Sequence, residues 1–234
     1  MAIPLYLAMT TAEFAGCSSF PAKIGWMACH FSPYGTGLSN LPDALPKDSL
    51  LIVNDRTPIC GHDPELIAKQ LTEQIRQYSP AALLLDFQRR NVSETQVLTE
   101  HLLTHIACPT AVSECYAAGS DCPVFLPPVP VNKPLSEYIA PWAGREIWLD
   151  LAVDAEIITL TAEGAVIAPV VPEESPPLCH REERLHCHYS IETGEDFARF
   201  TLWRTKEDVD NLQLAAEALG VHTFVGLRQE LGQA

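Results

Sequence analysis

Four carboxylates stand at or just past the end of short apolar runs: Asp55 after LLIVN, Asp86 in AALLLDF, Glu114 in TAVSECY and Asp150 in REIWLDL. Two carboxyl groups facing each other across a pocket are what glycoside hydrolysis uses, one as acid and the other as base or nucleophile. Around these four lie further groups able to hold a polar ligand: Arg56, Gln88, Tyr116 and Arg228, with Glu13, His30, Asn54 and Arg89 at comparable positions. Any single carboxylate of this kind more often caps a helix or pairs with an arginine such as Arg56 or Arg89. Taken as a group, they indicate one polar pocket. Asp86 and Glu114 are then the candidates for catalysis, and Gln88, Asp55, Arg56, Tyr116, Asp150 and Arg228 the candidates for ligand binding.

Other chemistries find less support. Cys179-His180 and His186-Cys187-His188 are zinc-ligand types. On a strand, however, His186 and His188 share one face while Cys187 faces the other way, and Arg181-Glu182-Glu183-Arg184 separates the two groups. The segment therefore reads as a hairpin strand beside a solvated loop, and no metal or cofactor is assigned. No phosphate-cradling G-x-x-x-x-G-K-[ST], dinucleotide G-x-G-x-x-G or G-x-S-x-G nucleophile elbow occurs. Trp142, beside a proline in a loop, is the aromatic best placed to act as a platform for a sugar ring, whereas Trp148 in mid-strand belongs to the core.

The elements that must position these groups alternate. Strands are expected at residues 5–10, 23–31, 50–54, 81–87, 110–116, 123–126, 145–151 and 223–227. A helix starts at Asp63-Pro64, with Ile67, Leu71, Ile75 and Tyr78 on one face. A second helix, with Ser93 and Gln96 as a capping box, runs to about Ile106. A short helix covers 135–140, and a last one is capped by Thr205 and ended by Gly220. Between residues 154 and 204 the alternation breaks into two hairpins, one turning at Glu163-Gly164 and one around Thr193-Gly194-Glu195, with a Pro-rich, charged loop at 172–184. The pattern is that of a single (β/α)8 TIM-type barrel over residues 1–234, irregular where connections are short, with a small β-rich insertion at 154–204. In such a barrel functional side chains come from the C-terminal strand ends, where the candidates lie.

A length of 234 residues suits one such domain, and the formal net charge of −15 repels phosphate backbones and anionic lipid. Nucleic acid and membrane are thus not expected partners; a saccharide or other small ligand is, and the oligomeric state stays open. No apolar run reaches the ~20 residues of a membrane span. The apolar start, MAIPLYLAMT, lacks a basic n-region and reads as a first strand. Eight dispersed cysteines fit reduced thiols in a cytoplasmic protein better than a disulfide framework.

Two segments, HDPELIAKQLTEQIRQYSPAALLLDFQ at 62–88 and HCHYSIETGEDFARFTLWRTKEDVDNLQLAAEALGVHTFVGLRQELG at 186–232, together resemble glycoside hydrolase family 18, the chitinase-like barrels. The resemblance covers about half the chain. The first segment matches the family's helix leading into its fourth strand, and the second its closing hairpin, helix and last strand. The fourth strand of that family carries D-x-x-D-x-D-x-E; aligned on Asp86, those carboxylates fall at Ala81, Leu84, Asp86 and Gln88, so only Asp86 is retained. The resemblance implies that Asp86 orients the substrate's N-acetyl group and that Gln88 stands where the proton-donating Glu belongs, with no acidic proton to deliver. Asn54-Asp55-Arg56-Thr57 replaces the family's Ser-x-Gly-Gly, and Leu227 or Arg228 its last-strand tryptophan. The expectation is a non-hydrolytic carbohydrate- or small-ligand-binding domain. The alternative is an active glycosidase whose acid has moved to Glu114, with Asp86, Asp55 or Asp150 as partner.

Overall fold

The structure, a computed structural model, describes residues 4–170 and 179–232. Eight parallel strands form a closed barrel: β1 (Leu5–Met9), β2 (Ile24–Phe31), β3 (Leu50–Asn54), β4 (Ala82–Asp86), β5 (Thr110–Ser113), β6 (Val124–Leu126), β7 (Ile147–Leu151) and β8 (Thr223–Leu227). Each pairs with its sequence neighbour, and β1 pairs with both β2 and β8, which closes the ring. Short α1 (Thr11–Ala15) follows β1, and α2 (Pro64–Tyr78) and α3 (Ser93–His105) follow β3 and β4. The β5–β6 connection contains no helix, and β6–β7 holds only α4 (Leu135–Ile139) and a 3-10 turn, Ala140–Trp142. The barrel is therefore irregular where the sequence has short connections. A five-stranded antiparallel sheet spanning Ala155 to Trp203 follows β7, then α5 (Lys206–Ala218), β8 and α6 (Arg228–Leu231).

Strand parity divides the side chains between two cores. Tyr6 and Ala8, Leu50 and Ile52, Ala82 and Leu84, Ala111, Phe125, Trp148 and Val225 fill the barrel interior. Leu51, Val53, Leu83, Leu85, Val112 and Leu149 face outward and pack beneath the helices, against Ile67, Leu71, Leu98 and Leu102. The inner column continues at period two into Asn54, Asp86 and Asp150, so the same alternation that packs the bottom of the barrel aims polar groups at its mouth. In β2 one extra residue interrupts the pairing with β3: Trp26 faces Leu51 and Cys29 faces Val53. That bulge resets the parity, leaving Cys29 in the outer core and turning His30 inward beside Asn54.

Local signals mark three of the six α-helix starts among the described residues. Asp63 accepts the Glu65 N–H at 3.0 Å and Pro64 occupies the first helical position, as the sequence indicates. Thr205 and Asp208 form a reciprocal capping box on α5, and Thr10 and Glu13 form one on α1 that periodicity did not reveal. The start of α3 differs from expectation. Its N-cap is Val92 without a side-chain bond, and Ser93 is already helical. The Val92 N–H donates to Tyr116 Oη at 3.3 Å, and the Gln96 amide instead reaches Glu100 at 2.7 Å. Of the expected loop at 172–184, residues 172–178 lie outside the described residues, and His180–Glu182 form a strand paired with Cys187–Tyr189.

Candidate functional site

The C-terminal ends of the strands surround a cavity of about 680 Å3, lined by residues from β1, β2, β3, β4, β6, β7 and β8. Its polar lining includes Asp86, Gln88, Asp150, Asn54, Asp55, Arg56, Arg89 and His30. Sequence reasoning thus brings Asp86, Gln88, Asp55, Arg56 and Asp150 to one place. Gln88 Nε2 donates to Asp86 Oδ1, and Ser113 Oγ on the neighbouring strand donates to the same oxygen at 3.4 Å. Burial pushes the Asp86 carboxyl above its ordinary range and the nearby Asp55 charge adds to this, while the Gln88 and Ser113 bonds act in the opposite sense.

Asp150 is held well above the ordinary carboxylate range, first by burial and then by the charges of Asp86, Asp154 and Glu230. The Asp86 charge thus favours the protonated form of Asp150, and both carboxyl groups line the same cavity.

Asp55 has a different task. Almost wholly buried, it accepts the backbone N–H groups of Gln88 at 3.0 Å and Arg89 at 2.8 Å through its two oxygens. Arg89 Nε returns a bond to the Asp55 carbonyl at 3.0 Å. Asp55 therefore clamps the turn that presents Gln88. Asn54 is also committed to the scaffold: its amide donates to Met27 O at 2.8 Å and its oxygen accepts Arg56 N–H at 3.1 Å. On the adjacent strand, His30 Nδ1 donates to Phe31 O at 2.9 Å, which leaves Nε2 to accept from Asn40 at 3.2 Å. Neither Asn40 nor the bulge that aims His30 carries a sequence signal; a strand ending in His30 was the only clue.

Three of the proposed site residues lie elsewhere. Ser113 faces inward, so Glu114, next in alternation, turns outward and pairs with Arg90; it is not among the cavity-lining residues. The expectation that Glu114 faces Asp86 as a relocated acid is therefore corrected by strand parity. Tyr116 is buried, and its hydroxyl donates to Arg89 O beneath the same turn, supporting it without reaching the cavity. Arg228 begins α6 outside the cavity lining. Trp142, the expected sugar platform, lies under Arg145 along a separate groove. Phe125 is the aromatic ring among the described lining residues.

The Cys/His segment is structural in its contacts. His188 Nδ1 bonds Asp208 Oδ2 at 2.8 Å and Cys187 is fully buried. Arg204, also buried, donates to the carbonyls of Val129, Pro130 and Leu185, tying the antiparallel sheet to the loop after β6. All eight cysteines are free, and among the described residues no helix is long and apolar enough to cross a membrane.

No protein-family model and no curated protein sequence matches the chain. Solved structures do match its fold. The class V chitinase of Nicotiana tobaccum aligns over 100% of this chain and 95% of its own, at 9% identity and a TM-score of 0.62. A glycoside hydrolase family 18 chitinase of Cycas revoluta, solved in complex with (GlcNAc)3, aligns over 96% and 94%, at 9% identity and a TM-score of 0.59. The spore cortex-lytic enzyme SleL of Bacillus cereus aligns over 99% of this chain and 71% of its own, at 8% identity and a TM-score of 0.57. At these identities the likeness is one of fold: a TIM-type barrel with a small antiparallel sheet before its last helix and strand.

Proposed function

We propose that the barrel mouth binds a saccharide, with amino-sugar oligomers as the first candidates, and does not hydrolyse it. The observation that carries this reading is the pairing of Gln88 with Asp86 inside the cavity. In the family this sequence resembles, the position of Gln88 supplies the proton to the leaving oxygen. An amide there can hold a hydroxyl or carbonyl of the ligand but has no acidic proton to transfer. Asp86, with its proton affinity raised, still offers a donor or acceptor for an N-acetyl group. The cavity volume falls in the range of about 300–1,000 Å3 expected of small-molecule sites. The (GlcNAc)3 complex of the Cycas revoluta chitinase supports amino sugars as the ligand class.

A thermal-shift screen against chito-oligosaccharides and peptidoglycan fragments tests the binding. Ligand at a hundred times its Kd stabilises the native state by about 2.7 kcal/mol, a shift absent in Asp86→Ala. If every saccharide leaves the melting temperature unchanged, the proposal fails.

A second reading rests on Asp150. Because it shares the cavity with Asp86 and retains its proton to higher pH, it has the character of a general acid. Under that reading the chain is a glycosidase, and Asp150→Asn abolishes a measurable hydrolysis. Glu114, turned to Arg90, takes no part in it.

A further inference from the structure

On helices outside the barrel and apart from the cavity lining, Glu65, His101 and His105 each bring one ligand atom within 4.8 Å of the other two. The two histidines are one helical turn apart on α3, at i and i+4, so their side chains project from one face. Their rings stack at 4.0 Å between centroids, inclined by 19°. Glu65 comes from the first turn of α2 and its Oε1 lies 3.7 Å from His101 Nε2. We propose that these three residues form a binding site for a divalent transition-metal ion of the zinc class, which would fasten α2 to α3.

The ligand chemistry is suited to it. Two imidazoles and a carboxylate are a zinc-type N/N/O set, and three protein ligands leave a fourth position for water. His105 Nδ1 lies 2.8 Å from the His101 carbonyl. A carbonyl only accepts, so Nδ1 carries the proton and Nε2 is the nitrogen left to coordinate. This is the outer-shell arrangement that orients metal-bound histidines. His101 Nε2 is buried and has no hydrogen-bond partner among the described residues, although its nearest polar neighbour is a carboxylate. A metal ion would satisfy that atom.

The geometry needs only a small adjustment. Two ligand atoms on one tetrahedral zinc, each about 2.0–2.1 Å from it, stand about 3.3 Å apart. The His101–Glu65 distance of 3.7 Å is close to that. The remaining separations, all within 4.8 Å, close by rotation of Glu65, which is exposed, and by a tilt of the two stacked rings toward a shared point. In the adjoining groove Lys69 and Arg76 stand with Glu65 and Glu73. These opposing charges balance, so no excess of positive charge bars a cation. The site is independent of the saccharide reading and of the 179–188 segment, where the sequence first invites a metal.

The test is a zinc titration of the full chain against a chromogenic chelator, repeated with cobalt to read the ligand type from the visible spectrum. The expected result is one equivalent bound, with cobalt bands free of thiolate charge transfer. Affinity should fall at least about tenfold in His105→Ala and in Glu65→Gln, and stay unchanged in Cys179→Ser. Both altered positions are exposed, so circular dichroism should report an intact fold. Absence of binding at millimolar zinc, or binding indifferent to His105→Ala and Glu65→Gln, or binding lost in Cys179→Ser, overturns the proposal.

Discussion

Removing the Asp55 carboxylate should detach the turn that presents Gln88. The side chain receives two backbone N–H groups, from Gln88 at 3.0 Å and Arg89 at 2.8 Å, one on each oxygen. Hydrogen bonds to a charged group contribute about 1.5–3 kcal/mol each. Two of them set an upper range of about 3–6 kcal/mol for Asp55→Ala. The cavity lies alongside and lets water replace part of the loss, so a destabilisation of about 3 kcal/mol is expected. Asp55→Asn keeps one acceptor but sets an amide donor against the second N–H, and should cost about half as much. Urea unfolding measures both, with the slope unchanged if only the native state is altered. Saccharide affinity should fall in both variants, because Asp55 positions Gln88. If Asp55→Ala loses less than about 0.5 kcal/mol, the surface-substitution range, the carboxylate is not the clamp, and the reasoning about the turn is refuted.

Three other outcomes follow from the same contacts. Asp150 has a raised folded-state affinity for its proton, so its contribution to stability is complete below the unfolded carboxyl value of about 3.9 and is lost as pH rises through the folded value. The stability advantage of Asp150→Asn should therefore grow with rising pH, by about 1.4 kcal/mol for each tenfold weakening of the acid; parallel curves from acid to alkaline pH would remove the case for a retained proton. Arg204→Met leaves the carbonyls of Val129, Pro130 and Leu185 without their donor and should cost about 3 kcal/mol or more in chemical denaturation; a near-neutral effect would show that the sheet is held by apolar contacts alone. Gln88→Glu places an acidic proton beside Asp86, and a general acid contributes about 10²–10⁴ in rate. Hydrolysis of an aryl chito-oligosaccharide should therefore rise at least about a hundredfold over the unaltered protein, and equal rates in the two would show that position 88 is not the acid's place.

Much of the fold was legible because its signals are local. The runs LLIVN and AALLLDF are apolar on both faces, as parallel strands between two cores must be, and Asp63-Pro64 and Thr205 mark helix starts with their own side chains. The mouth could be assigned because strand-end residues in a parallel barrel share one rim. What stayed hidden depends on partners distant in sequence. The N-cap of α3 is Val92, whose N–H goes to Tyr116, so Ser93 is already helical and the Ser93-Gln96 box does not form. A bulge in β2 decides that His30 and not Cys29 faces inward. Glu114 looks equivalent to Asp86 in sequence, yet β5 ends with Ser113 inward, and that single step of parity sends the carboxylate to Arg90.

The central claim is binding without cleavage, and one experiment addresses both halves: equilibrium titration of a chito-oligosaccharide into the protein, followed by mass analysis of the sugar recovered from the same sample. The expected result is saturable binding that weakens in Asp86→Ala, with the oligosaccharide recovered at its original length. Shortened products that vanish in Asp86→Ala or Asp150→Asn would contradict the account, as would a titration with no binding at all.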